Sequence, residues 1–411
     1  MRITIRNAPF RRLWFSQIGL ALGDAVMQMG LLEVFRRHGF NERVETAKLF
    51  FAVCWPGAVL GPLAMAYLDR WPRRSVLLVS DAIRSVVVVV IMMWMWPLLT
   101  GHSSERGMFA VYALITVIGA ITTFYYPARY ALLPSLVPAD KLIQANTLFT
   151  TSLAVAGIGG RALGGFVAEW FGPGWAVAAN AVAYLLSVML LWGMRRETPV
   201  AGIETKGEQK GGWNELRTGL AYLWTHQSAL PLVILSGVFA FLAGVLIVTI
   251  VGYGLDTLKL GTGGLGYLMA AAGVGAAIGI VAVGRGKSWA KSILLPFVQL
   301  IIGGIMLWLL SFTVSPWLAA VWLVVLGAVA ATALIPIDAK LQEEVDSQRL
   351  GAVFAARGMW TSLTMLVAFW LQFRSALFLN TPAPTILLWL GYSTVAAALL
   401  LLLAMRVQRN R

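Results

Sequence analysis

Twelve long apolar runs dominate this chain of 411 residues. They fall at roughly 13–35, 48–68, 76–99, 108–126, 147–170, 174–194, 229–253, 264–284, 292–312, 317–336, 353–373 and 385–405. About 20 apolar residues suffice for a helix to cross a bilayer. The runs are continuous rather than alternating, which excludes a β-barrel. Hydrophobic residues make up 59% and charged residues 12%, with a mean hydropathy of +0.78. A soluble chain is about half apolar and about a quarter charged. The expectation is an all-α integral membrane protein of twelve transmembrane helices.

Charge sets the topology. An even number of spans puts both termini on one side, and Lys and Arg concentrate in cytoplasmic loops. Of the 32 basic residues, 24 fall in the two termini and the 2–3, 4–5, 6–7, 8–9 and 10–11 connections, counting helix ends with their loops. Seven fall on the other side, namely Arg36, Arg37, Arg43, Lys48, Arg106, Lys259 and Arg374, and Arg161 lies inside a span. Both termini are expected in the cytoplasm of a bacterium, with the protein in the inner membrane. The net charge of +14 is then topological bias rather than a nucleic-acid surface. The basic N-terminus precedes an apolar stretch too long for a signal peptide, and it reads as an uncleaved first span.

The polar connection at 197–212 has the composition of a flexible linker. Trp213, Leu216, Leu220 and Leu223 follow at helical spacing, as in a helix lying on the inner membrane surface. Three regions are expected: a six-helix bundle at 1–196, a linker and interfacial helix at 197–227, and a second bundle at 228–411. The halves echo one another. Pro127 after the fourth span and Pro336 after the tenth each end a helix before a short amphipathic stretch. Parallel repeats of this kind are a transporter architecture.

The family resemblance rests on motifs. Gly61-Pro-Leu-Ala-Met-Ala-Tyr-Leu-Asp69-Arg70-Trp-Pro-Arg73-Arg74 resembles the loop signature of the major facilitator superfamily, with Pro72 in place of its Gly and Met65 in place of a second Gly. The stretch from Tyr126-Pro-Ala-Arg to Gly160-Arg-Ala-Leu-Gly-Gly165 looks like the macrolide-efflux and siderophore-export branch of drug:proton antiporters. Lysophospholipid transporters share the Gly23-Asp24 and Tyr-Pro-Ala-Arg stretches. The resemblance implies two six-helix bundles working by alternating access. It also implies that Gly61, Asp69, Arg70, Arg73 and Arg74 act as a conformational latch, beside their contribution to topology. Arg161 stands where family antiporters often carry Pro.

Candidate site residues follow from the cost of charge in lipid. Asp24 lies mid-way along the first span, where a carboxylate must be protonated, paired or wet. Gln17, Asp24 and Gln28 fall within about 40° of one another on a helix, a polar stripe suited to a cavity. Two readings of Asp24 stand: proton coupling, or a structural pair. Arg161 sits at matching depth among Gly157, Gly160, Gly164 and Gly165, which let helices approach closely. It is expected to pair with Asp24, or else to meet an anionic headgroup. Tyr112, Thr116 and Thr123 share a face of the fourth span, as cavity lining or as hydroxyls bonding their own backbone. Glu33 with Arg36 and Arg37, and Asp81 with Arg84, have the spacing of local helix salt bridges.

No enzyme chemistry is expected. Gly286-Lys287-Ser288 is not a nucleotide loop, because Val281 stands where its first Gly belongs. The single cysteine, Cys54, excludes a disulfide, and the three histidines lack metal-ligand spacing, so neither metal nor cofactor is expected. The function expected is export of a hydrophobic or amphiphilic small molecule by a proton-coupled antiporter, as a monomer in the lipid bilayer. A lysophospholipid transporter is one alternative, and a non-transporting receptor or assembly subunit is another.

Overall fold

The computed structural model describes residues 7–68, 71–99, 105–138, 141–194, 212–225, 229–285, 294–346 and 349–409. Among them it has twelve helices long and apolar enough to cross a membrane. We number the helices α1 (Ala8–Arg37), α2 (Glu42–Leu68), α3 (Arg73–Leu99), α4 (Glu105–Leu136), α5 (Leu142–Trp170), α6 (Pro173–Trp192), α7 (Gly212–Thr225), α8 (Leu230–Gly252), α9 (Thr262–Arg285), α10 (Leu295–Phe312), α11 (Pro316–Thr332), α12 (Leu334–Glu344), α13 (Leu350–Arg374) and α14 (Ala383–Arg409). Proline marks the start of five of them, in the first turn of α1, α6, α8, α10 and α11. There its fixed φ suits the helix and its missing N–H is not needed. Gly172 precedes α6 at φ 102, a conformation that costs a residue with a side chain.

Several helices overrun the apolar runs. α4 extends through Pro127 and Pro134 to Leu136, where the sequence placed a span end near 126. Arg129 is therefore a helix residue, 6% exposed, rather than part of a loop. Arg84 lies well inside α3 and is 4% exposed, so it leaves the cytoplasmic tally made from the sequence.

The chain divides into two compact units, Met1–Phe40 with Leu49–Leu216, and Asn41–Lys48 with Arg217–Arg411. In the first, α1 runs between α5 and α6. A Cβ at Gly160 would lie 2.7 Å from the Leu22 carbonyl oxygen, and one at Gly164 would lie 2.6 Å from Val26 Cα. On α1's other flank, a Cβ at Gly23 would lie 2.7 Å from Ala183, and one at Gly30 equally close to Ala176. Lipid is as apolar as the side chains, so small residues that admit a neighbouring backbone hold such helices together.

The second unit repeats these pairings. Gly244 lets α8 meet Ala368 of α13, as α1 meets α5. Gly304 and Gly391 bring α10 against α14, as α3 meets α6. Gly275, Gly279 and Gly327 join α9 to α11, as Gly119 and Val53 join α4 to α2. This recurrence is the three-dimensional counterpart of the Pro127–Pro336 echo. Outward faces carry exposed apolar side chains, and Trp170, Trp175, Trp192 and Trp317 stand exposed at helix ends, where indole rings favour the interface.

The amphipathic helix expected after the linker is present as α7, but its apolar stripe divides. Leu216 and Leu223 are buried while Trp213 and Leu220 are exposed. Gly219 closes against the Ala352 carbonyl of α13, a contact within the second unit, to which the helix belongs from Arg217 on. Residues 197–211 of the expected linker lie outside the described residues.

Candidate functional site

Four helices of the first unit bring polar side chains to one place. α1 supplies Ser16, Gln17 and Asp24. α3 supplies Asp81 and Arg84. α4 supplies Thr122, Tyr125 and Arg129. α6 supplies Asn180, Tyr184 and Ser187.

Asp24 is exposed at mid-length in α1. Its Oδ1 accepts hydrogen bonds from the Tyr184 hydroxyl at 2.8 Å and from Asn180 Nδ2 at 3.2 Å. Gly23 explains the second bond, since without a side chain there α6 comes close enough for Asn180 to reach. Arg84 on α3 is a cation within electrostatic range of Asp24.

Behind Asp24 lies a buried network. Arg84 Nη1 pairs with Asp81 Oδ1 at 3.5 Å, the two side chains being 4% and 0% exposed. Arg84 also donates to Thr122 Oγ1 at 2.8 Å, and its guanidinium carbon stands 4.3 Å from the centre of the Tyr125 ring. Ser187 and Tyr125 both donate to Asp81 Oδ2. Ser187 also exchanges a hydrogen bond with Ser16 at 2.7 Å. Gln17 donates to the Tyr125 hydroxyl oxygen and accepts from Arg129 Nη1 at 3.4 Å. Arg129 lies against the rings of Tyr126, Tyr130 and Phe149. A buried ion pair is tolerated when further hydrogen bonds satisfy its remaining atoms, as most of these do.

The expected pair of Asp24 with Arg161 is not formed. Arg161 Nη1 donates to the Gly157 carbonyl of its own helix at 3.2 Å, and no ion pair joins it to Asp24. Matched depth fixes height along the membrane normal but not direction around the helix. α5 meets α1 on the side of Leu22, Ala25 and Val26, whereas Asp24 turns to α6. Gly157 accordingly faces its own Arg161 rather than a neighbouring helix, whereas Gly160 and Gly164 do make close approaches and Gly165 is buried.

The polar stripe of α1 is likewise uneven. Gln17 is buried in the network, Asp24 is exposed and Gln28 is half-buried. On α4, Tyr112 and Thr116 are half-buried, and Thr123 donates to the Gly119 carbonyl of its own helix. The neighbouring Thr122 is the hydroxyl that meets Arg84.

In the loop signature, Asp69 and Arg70 lie outside the described residues. Arg73 donates to the Ala131 carbonyl at 2.7 Å, and Arg74 to the Leu191 and Trp192 carbonyls at 3.1 and 2.7 Å. Arg74 thus caps the C-terminal end of α6, where carbonyls lack partners and a cation is favoured. A Cβ at Gly61 would meet nothing within 4 Å. Glu33, fully buried, is held by Arg36 and Arg37 at 2.9 and 2.6 Å.

The sequence pattern of the Major Facilitator Superfamily matches residues 13–369. The chain belongs to this superfamily. It is therefore a transporter and not an enzyme. It is 24% identical over 366 residues to the lysophospholipid transporter LplT of Photorhabdus laumondii, covering 86% of this chain and 84% of that protein. It is 25% identical over 210 residues to an uncharacterised transporter of the same type, YfiS of Bacillus subtilis, covering 51% and 47%. Among solved structures, a bacterial homologue of the iron transporter ferroportin matches with a TM-score of 0.70 and 14% identity over 96% of both chains. A D-xylose–proton symporter matches with a TM-score of 0.68 and 16% identity over 97% of this chain and 96% of its own. Both share the fold.

Proposed function

We propose that this protein exports a hydrophobic or amphiphilic small molecule by alternating access, driven by protons that bind at Asp24. One observation carries the reading. Asp24 is exposed half-way along a membrane helix, held by neutral partners, Asn180 and Tyr184. A charged side chain facing lipid at that depth costs about 2.5–3.5 kcal/mol even on insertion scales. An accessible carboxylate there fits a water-filled path better than lipid. The buried Asp81–Arg84 pair lies behind it. Arg73 and Arg74, which bond carbonyls of α4 and α6 within the first bundle, suit a unit that moves as one body, and Asp69 remains the proposed latch.

A second reading, a lysophospholipid transporter, is favoured by the alignment with LplT over 86% of this chain. Both readings describe an amphiphile and both require transport. The test is substrate-stimulated proton flux in proteoliposomes, screened over macrolides, siderophores and lysophospholipids. Flux stimulated by macrolides or siderophores supports the first reading, and flux or uptake confined to lysophospholipids supports the second. Absence of any response across the panel would overturn both.

A further inference from the structure

The second unit contains a cavity of about 360 Å³, walled by α8, α10, α11, α13 and the first residue of α12. Phe239, Leu246, Leu307, Leu326 and Met365 make its surface apolar. Its size lies at the low end of small-molecule pockets, about 300–1,000 Å³. Such a space suits one aliphatic chain rather than a two-chain lipid. Gly303 lies in its wall, and a Cβ there would meet only Leu326 and Val329 at ordinary contact distances of 3.8 and 3.9 Å.

One polar atom in this wall lacks a partner. Gln299 is 4% exposed, and its Nε2 donates to Thr332 Oγ1 at 2.7 Å. Thr332 directs its own proton to the Ala328 and Val329 carbonyls, and in this arrangement its oxygen accepts from Gln299. The Oε1 of Gln299 is buried and without a hydrogen bond, in a residue that lines the cavity. The other polar groups of the wall are already engaged: Thr361 and Ser362 both donate to the Gly358 carbonyl. A buried acceptor without a donor is costly, and a ligand that brings an O–H or N–H removes that cost.

We propose that this cavity is a subsite for the aliphatic chain of a single-chain amphiphile, with Gln299 Oε1 accepting from a hydroxyl or amide at the chain's head end. The identity of the chain as substrate rests on the reading above, whereas occupancy of the cavity does not. The purified full-length protein in detergent is exposed to a long-chain fatty alcohol bearing a photoreactive diazirine at its tail, and the adducts are mapped by mass spectrometry. Adducts are expected on cavity residues of α8, α10, α11 and α13. Gly303→Leu, which fills the cavity without a clash at Cβ, should reduce them at least fivefold. Ala243→Phe, on α8, is a second filling variant should the first prove unstable. Gln299→Leu, or the methyl ether of the same probe, should reduce labelling several-fold while leaving melting temperature near wild type. Adducts spread over outward-facing residues such as Leu318 and Val321, unchanged by either filling variant, would overturn the pocket. Equal labelling by alcohol and ether would overturn the role of Gln299. Labelling of the cavity without amphiphile transport in proteoliposomes would instead contradict the functional reading and leave the pocket standing.

Discussion

Tyr184 on α6 donates its hydroxyl hydrogen to Asp24 on α1 across 2.8 Å, so the mid-membrane carboxylate is held by a neutral donor rather than by Arg161. This changes what a mutation there should do. In an ion pair, neutralising one partner strands the other. Here Asp24→Asn keeps an oxygen that can accept from Tyr184. The variant is expected to melt within a few degrees of wild type in detergent while losing transport. A large loss of stability would show that the carboxylate is structural.

Arg161 and Asp24 should behave independently. The double variant Asp24→Asn with Arg161→Gln is expected to be additive in stability to within about 0.5 kcal/mol, as for separated sites. A double-mutant cycle on thermal unfolding measures this. A coupling energy of several kcal/mol would mean the two charges meet after all.

Asp81 and Arg84 are the pair that should couple. Removing one partner of a buried ion pair typically costs about 3–5 kcal/mol, because the other charge is left buried. Asp81→Ala is expected to lose stability in that range. Adding Arg84→Leu should recover part of it. Unchanged unfolding of Asp81→Ala would contradict the buried network.

Close approach at Gly160 and Gly164 gives a packing test. Gly164→Leu would drive a side chain into Val26 of α1, and misfolding or aggregation on size-exclusion chromatography is expected. Gly159→Ala is the control, since a Cβ there meets nothing within 4 Å. Equal behaviour of the two variants would remove the contact between α1 and α5 from the account.

The spans and the internal repeat were legible because hydropathy is a property of each segment by itself. Asp24 was legible for the same reason, as a lone acid in an apolar run. Its partners were not. Asn180, Tyr184 and Arg84 come from helices distant in sequence, and which face of α6 turns to α1 depends on Gly23 admitting it. Arg129 was counted with the cytoplasmic cations because composition does not show where a helix ends, and Arg84 because residues near a span's end were counted with its loop. Asp81 and Arg84 have the spacing of an ordinary surface pair, and only burial separates theirs from one. Arg161 failed as Asp24's partner because counting residues gives depth and not azimuth.

Asp24 as the proton site is the central claim, and proton movement is its most direct test. Proteoliposomes of wild type and of Asp24→Asn, matched for protein content, are given a pH gradient and a substrate found by the screen, and initial proton flux is recorded with an internal pH dye. The account predicts substrate-stimulated flux in wild type and at least a tenfold reduction in Asp24→Asn. Equal flux in the two proteins would contradict it.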